Sequence, residues 1–270
     1  MKNNKLSNAV LWILLLVFSG TLMTGLQGCS LFRKKYEKTE VKEYSITART
    51  VKTFEIDNPN GNVFIRRNST DSMVRIRAEI TKYVSKKELD DPLKGIQIDI
   101  DSSSSEIIVR DIVNKESHDF INFGFRRGSK VNYEISVPPG ILLKLSSTNG
   151  KIRLEDLDND VNADLTNGSI KLENVYGNLT LELTNGSINA QLDSTKGINF
   201  QTTNGSITLG IGENFKGNFK AETVNGKVRR KNVTFSEAED TKREFRGNLG
   251  GGNAEVKLET VNGSINIERK

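Results

Sequence analysis

Cysteine, histidine and tryptophan each occur once in this chain of 270 residues, and proline only four times. With Cys29 and His118 as the sole residues of their kinds, chemistry that needs several His or Cys ligands is excluded, no internal disulfide can form, and no metal or cofactor is expected. Charge of one sign is also missing. Lys and Arg number 39 against 34 Asp and Glu, and the first 28 residues hold Lys2 and Lys5 but no acid, so the remainder is close to neutral. The sequence pI of about 9.1 is therefore no case for a nucleic-acid partner. A hydrophobic content of 35% with 23 glycines points to an ordered β-rich chain.

The one long apolar run, Ala9 to Met23, follows a basic start and leads to Leu26-Gln27-Gly28-Cys29. It is shorter than the roughly 20 apolar residues that span a bilayer, and it reads as an export signal outside the fold. The four residues ending at Cys29 resemble the bacterial lipobox, although Gln27 is an unusual choice at its place. That resemblance implies cleavage after residue 28, acylation of Cys29 and anchoring in the cell envelope through two or more acyl chains. Ser30 is compatible with transfer to an outer membrane, by analogy with bacteria that sort on that residue. The alternative is an uncleaved membrane helix with a buried free Cys29. Residues 29–44 carry mixed charge with few apolar side chains and read as a solvated tether.

The second half repeats. Asn-Gly stands at Asn149-Gly150, Asn167-Gly168, Asn185-Gly186, Asn204-Gly205, Asn225-Gly226 and Asn262-Gly263, at steps of 18, 18, 19, 21 and 37 residues. After five of the six corners the second and fourth positions are apolar, as in Ile152 and Leu154 or Ile170 and Leu172, and alternate positions before each Asn are apolar too. Period two with one buried face is a strand signature, and a second turn halfway makes each unit two strands. Such a unit buries its apolar face only by stacking on others. Hairpins also alternate, but a parallel solenoid explains why the same Asn, Gly and Ile recur in phase. It sets equivalent residues about 4.8 Å apart, where the Asn side chains can form a ladder and each Gly takes the positive φ of its corner. The expected fold is an all-β, β-helix-like solenoid over 141–270, with Asn262 at the terminal rung and an insertion at 229–251. Residues 45–140 form a less regular β-rich cap that begins with an Asn60-Gly61 rung and holds a short helix within 85–93.

Leu165-Thr166-Asn167-Gly168-Ser169-Ile170, its copy from Leu183 to Ile188, and Glu259 to Ile265 resemble a bacterial family named putative adhesins, a β-strand-repeat domain of unknown function. Val137-Pro138-Pro139-Gly140 and Gly250-Gly251-Gly252 carry the same likeness. The resemblance covers residues 45 to 270 and implies the fold; for activity it implies almost nothing.

Catalytic chemistry is sparse. His118-Asp119 sits in a polar stretch with no nucleophile nearby. Glu155, Asp156, Asp158 and Asp160 gather at one corner without the EF-hand or glycine-rich nonapeptide spacing of calcium loops. The Gly-rich stretch from Gly247 lacks the Lys-Ser/Thr of a phosphate loop. Most of the Asn-x-Ser/Thr sequons follow from Asn-Gly-Ser turns. The reading is a lipid-anchored envelope binding or scaffold protein without catalytic activity, whose partner is an envelope protein or glycan. Arg229, Arg230 and Lys231, where the repeat is interrupted, are the candidate contact. The alternative is a polysaccharide-acting β-helix enzyme, which requires facing carboxylates about 5 to 9.5 Å apart at the acidic corner.

Overall fold

The computed structural model describes residues 14–16, 36–68, 70–84, 86, 96–113 and 129–269. Cys29, His118 and Asp119 lie outside them, as does the 85–93 segment apart from Lys86.

From the amino end, Leu14–Leu16 (β1) lies antiparallel on Tyr36–Thr47 (β2), so part of the run expected outside the fold joins the sheet; residues 36–44, expected in a solvated tether, are strand because they pair along their whole length with residues 76–84. Thr53–Asn60 (β3) and Val63–Arg67 (β4) are the two legs of a first rung. Met73–Val84 (β5), Ile96–Ser102 (β6), Glu106–Val113 (β7) and Ser129–Val137 (β8) complete that end. Leu142–Asp158 (β9), Val161–Tyr176 (β10) and Asn178–Leu192 (β11) are whole rungs that turn their Asn-Gly corners without a break in the strand. Later rungs split at the corner: Gly197–Asn204 (β12) with Ile207–Ile211 (β13), then Gly217–Asn225 (β14) with Val228–Lys231 (β15). A hairpin of Ser236–Asp240 (β16) and Glu244–Leu249 (β17) follows, and Glu255–Asn262 (β18) with Ile265–Arg269 (β19) forms the last rung in sequence.

The rungs stack parallel and in register. Asn149, Asn167, Asn185 and Asn204 face one another in turn, as do Ile152, Ile170, Ile188 and Ile207. The bent strands give the sheet two faces. Legs ahead of the corners run β6-β7-β3-β9-β10-β11-β12-β18-β14-β17-β16. Legs beyond the corners run β1-β2-β5-β8-β4-β9-β10-β11-β13-β19-β15. This is a β-solenoid of stacked two-strand repeats.

The alternating apolar positions meet between the two faces. Leu143, Leu154, Leu172, Leu181, Ile188, Leu209, Leu258 and Ile267 are all fully buried in one continuous core. Parallel sheets usually need cover on both sides. Here the outer side of each leg is polar and wet, so period two survives in the sequence instead of a continuous apolar run. At the carboxy-terminal end Phe215, Phe219, Phe235 and Phe245 form a chain of rings with centroids 5.7, 5.0 and 4.7 Å apart.

The last rung in sequence is not the last in space. β18 pairs with β12 on one side and β14 on the other, and β19 lies between β13 and β15. The chain lays down the β14–β15 rung one place too far and folds the β16–β17 hairpin antiparallel against its outer edge. It then returns to fill the gap. Asn262, expected at the terminal rung, is therefore interior, and Asn225 ends the stack. The departure from the repeat also starts later than residue 229, because Val228–Lys231 is a regular second leg.

Candidate functional site

The corners align the asparagines into one continuous ladder. Each Nδ2 donates to the Oδ1 of the preceding rung: Asn149 to Asn60 at 2.8 Å, Asn167 to Asn149 at 3.1 Å, Asn185 to Asn167 at 2.9 Å, Asn204 to Asn185 at 2.9 Å, Asn262 to Asn204 at 2.8 Å and Asn225 to Asn262 at 2.9 Å. These side chains are exposed, so water competes for each bond, and each contributes nearer the low end of the usual 0.5–1.5 kcal/mol. Asn185→Ala and Asn262→Ala each remove two ladder bonds and are expected to cost about 1–2 kcal/mol in urea unfolding, Asn225→Ala about half as much. A smaller cost at Asn262 than at Asn225 would put the last rung back at the end of the stack.

The glycines meet the expected demand for positive φ at four of the six corners and a second demand at all six. Gly150, Gly168, Gly186 and Gly205 take positive φ, but Gly226 and Gly263 do not. What all six share is closeness: a Cβ on Gly226 would fall 1.7 Å from the Gly263 carbonyl oxygen, and one on Gly263 would fall 1.8 Å from that of Gly205. The rung spacing leaves no room for a side chain. Thr223 and Thr260 add support, their hydroxyls donating to the carbonyls of Gly263 and Gly205 at 2.9 Å.

The four acids of the 155–160 corner do not converge. Glu155 is ion-paired with Arg153, Asp156 accepts from Asn174 Nδ2 at 3.1 Å, and Asp158 pairs with Arg67 at 2.6 Å. Asp160 accepts from the Asn178 backbone N–H at 2.9 Å and meets Lys196 at 3.4 Å; these bonds, the backbone one foremost, hold its carboxyl below the usual range. Each of the four acids is taken up by a separate neighbour, Glu155 sharing Arg153 with Glu173 of the next rung.

Arg229, Arg230 and Lys231 lie on β15, at the edge of the second face. Their roles differ. Arg230 is ion-paired with Asp240 of the hairpin and sits over the Phe245 ring at 4.5 Å, tying the hairpin to the stack. Arg229 and Lys231 are exposed, with Arg229 reaching Asn266 at 3.5 Å. Next to this end an open groove of about 600 Å³ runs along the first face, lined among others by Glu182, Gln201, Glu222, Glu259, Val224 and Val261. Val224 and Val261 are 56% and 42% exposed, at positions where other rungs carry Thr148, Thr166, Thr184 and Thr203. They are 37 residues apart in sequence and adjacent only because the last rung slots in beside β14.

The sequence profile of Toastrack DUF4097 matches residues 19–268. The chain belongs to the Toastrack family. Similar solved structures include a putative cell adhesion protein from Clostridium sporogenes, with 15% identity and a TM-score of 0.47 over 88% of this chain and 100% of that one. A putative adhesin from Bacteroides fragilis has 10% identity and a TM-score of 0.33 over 86% and 97%. One from Parabacteroides merdae has 12% identity and a TM-score of 0.27 over 85% and 96%. No curated protein matches the chain.

One pair in this Toastrack chain escapes sequence reasoning. Tyr133 of β8, 1% exposed, donates its hydroxyl to Asp111 of β7 inside the amino-terminal end. Burial pushes the Asp111 carboxyl up to about 6; the Tyr133 hydrogen bond opposes this, and the charge of Asp57 adds to it. Tyr133 is itself raised, first by burial and then by the Asp111 charge. Alternation along Ile107 and Val109 places residue 111 on the inward side, and that phase is the only signal the sequence offers.

Proposed function

We propose that this protein is a lipid-anchored binding and scaffold module of the cell envelope, held by acylated Cys29, in the outer membrane by the analogy of Ser30, and meeting an envelope protein or glycan with the carboxy-terminal end of its solenoid. The observation that carries the binding reading is the contrast along the stack. Its flank is a lattice of exposed amides and charges satisfied by their own neighbours, as in Arg153 with Glu155 and Glu173 or Lys171 with Glu173. That regularity breaks at the carboxy-terminal end, where two bare apolar side chains, Val224 and Val261, stand side by side, Arg229 and Lys231 occupy a strand edge, and the hairpin closes the core; Tyr83, Ile112 and Tyr176 are exposed elsewhere. Lattices of satisfied groups hold a shape, whereas irregular exposed apolar and charged positions offer recognition. Four acids with four separate partners favour this reading over polysaccharide cleavage.

The test uses the full-length protein expressed with its signal and recovered from membranes. Its intact mass is expected to lack residues 1–28 and to carry fatty acyl groups, and an unmodified thiol at residue 29 removes the anchor. The variant Arg229→Ser with Lys231→Ser, which spares the Arg230–Asp240 pair, is expected to lose co-purifying envelope partners without a change in melting temperature. Partners retained with lowered stability would make this strand edge purely structural.

A further inference from the structure

The ladder has a direction, and the direction makes its two ends chemically unequal. At the first corner the Gly61 N–H donates to the Asn149 carbonyl at 2.9 Å; further along, Gly205 donates to Asn262 at 2.9 Å and Gly263 to Asn225 at 3.1 Å. Each of these glycine N–H groups points toward the next rung, so the first corner has an acceptor and the last has none. Among the described residues Gly226 N–H has no hydrogen-bond partner. The Asn225 side chain keeps only the bond that its Nδ2 donates to Asn262, and its Oδ1 accepts nothing, whereas Asn167, Asn185, Asn204 and Asn262 are held at both side-chain atoms. The hairpin tip does not repair this. Its Arg243 and Lys242 carbonyls accept from Thr223 at 2.9 Å and Val228 at 3.1 Å, on either side of the corner, and leave residues 225 and 226 between them open.

We infer that Asn225 is the site at which this protein deamidates itself, while the identical Asn-Gly pairs of the inner rungs are protected. The chemistry is intramolecular. The backbone nitrogen of Gly226 attacks Cγ of Asn225, the new N–Cγ bond closes a five-membered imide, and the Cγ–Nδ2 bond breaks, with ammonia leaving and taking the displaced amide proton. Water then opens the imide to aspartate or isoaspartate. At an inner corner the attacking N–H and both side-chain atoms must first leave their ladder partners. At Asn225 the nucleophile is already free, and one side-chain bond remains. The product adds a negative charge to the corner beside Val224 and abolishes the donor to Asn262, altering the irregular end of the stack and not its middle.

The test is peptide mapping of the folded full-length protein during incubation at mildly alkaline pH, with a parallel sample unfolded in urea. In the folded protein the mass gain of amide-to-acid conversion, with isoaspartate among the products, is expected at Asn225 about tenfold faster than at Asn167, Asn185 or Asn204. In urea all the Asn-Gly pairs are expected to react at similar rates. Equal rates in the folded protein, or faster reaction at an inner corner, would overturn the inference. A preference for Asn225 that persists in urea would also overturn it, by assigning the selectivity to local sequence.

Discussion

Gly186→Ala is expected to destabilise the protein by at least about 3 kcal/mol, enough to expose much of the central stack at physiological temperature. Its Cβ would sit 1.7 Å from the carbonyl oxygen of Gly168, a backbone atom that cannot swing aside, at a φ of 138° that L residues rarely adopt. Relieving the contact means parting two rungs and breaking ladder bonds on both faces. Gly251→Ala separates collision from conformation. Gly251 has φ of 64° and nothing within 4 Å of the place a Cβ would take, so only the left-handed penalty of about 1–2 kcal/mol applies. Urea midpoints of the two variants decide the matter: similar losses would mean that backbone conformation, and not rung spacing, keeps glycine in the column.

Asp111→Asn works in the opposite direction. The folded carboxyl titrates near 6 and an unfolded aspartate near 3.9, so between these values the folded state binds more protons than the unfolded one. Stability from this group is then fully present below about pH 4 and is lost as pH rises through about 6, leaving a penalty on the order of 2–3 kcal/mol for the buried anion at neutral pH. An asparagine keeps an oxygen to accept from Tyr133 and carries no charge. It is expected to raise stability by about 2 kcal/mol at pH 8 and to have little effect at pH 4, as read from urea unfolding at the two pH values. A loss of equal size at both would show that the Tyr133 hydrogen bond outweighs the cost of burying the charge.

Much of this protein follows from its sequence alone. The in-phase return of Asn, Gly and Ile from 149 to 204 determines a parallel stack, because only superposed rungs give every copy the same neighbours. The alternation within each unit determines which residues form the core, Leu143, Leu154 and Leu172 among them. The glycines are legible only in part: sequence reasoning predicts the positive φ found at four corners, whereas the contact shared by all six is a carbonyl of another rung, which no local pattern contains. The acidic corner shows the same limit. Glu155, Asp156, Asp158 and Asp160 are close along the chain, yet Arg67 and Lys196, brought in by stacking, pair with two of them and hold these acids in separate roles.

Only the tertiary structure decided the order of the rungs. Each carries the same Asn-Gly corner and presents the same hydrogen-bonding edge, so the 37-residue step before Asn262 fits either a terminal or an interior place equally well. The choice rests on the β16–β17 hairpin, which covers β14 on its outer side and leaves its inner edge for the returning β18. That placement makes Val224 and Val261 neighbours and seats Asn262 between Asn204 and Asn225. It also leaves Gly226 as the corner whose N–H has nowhere to donate, because the bond it would make belongs to a rung that does not exist.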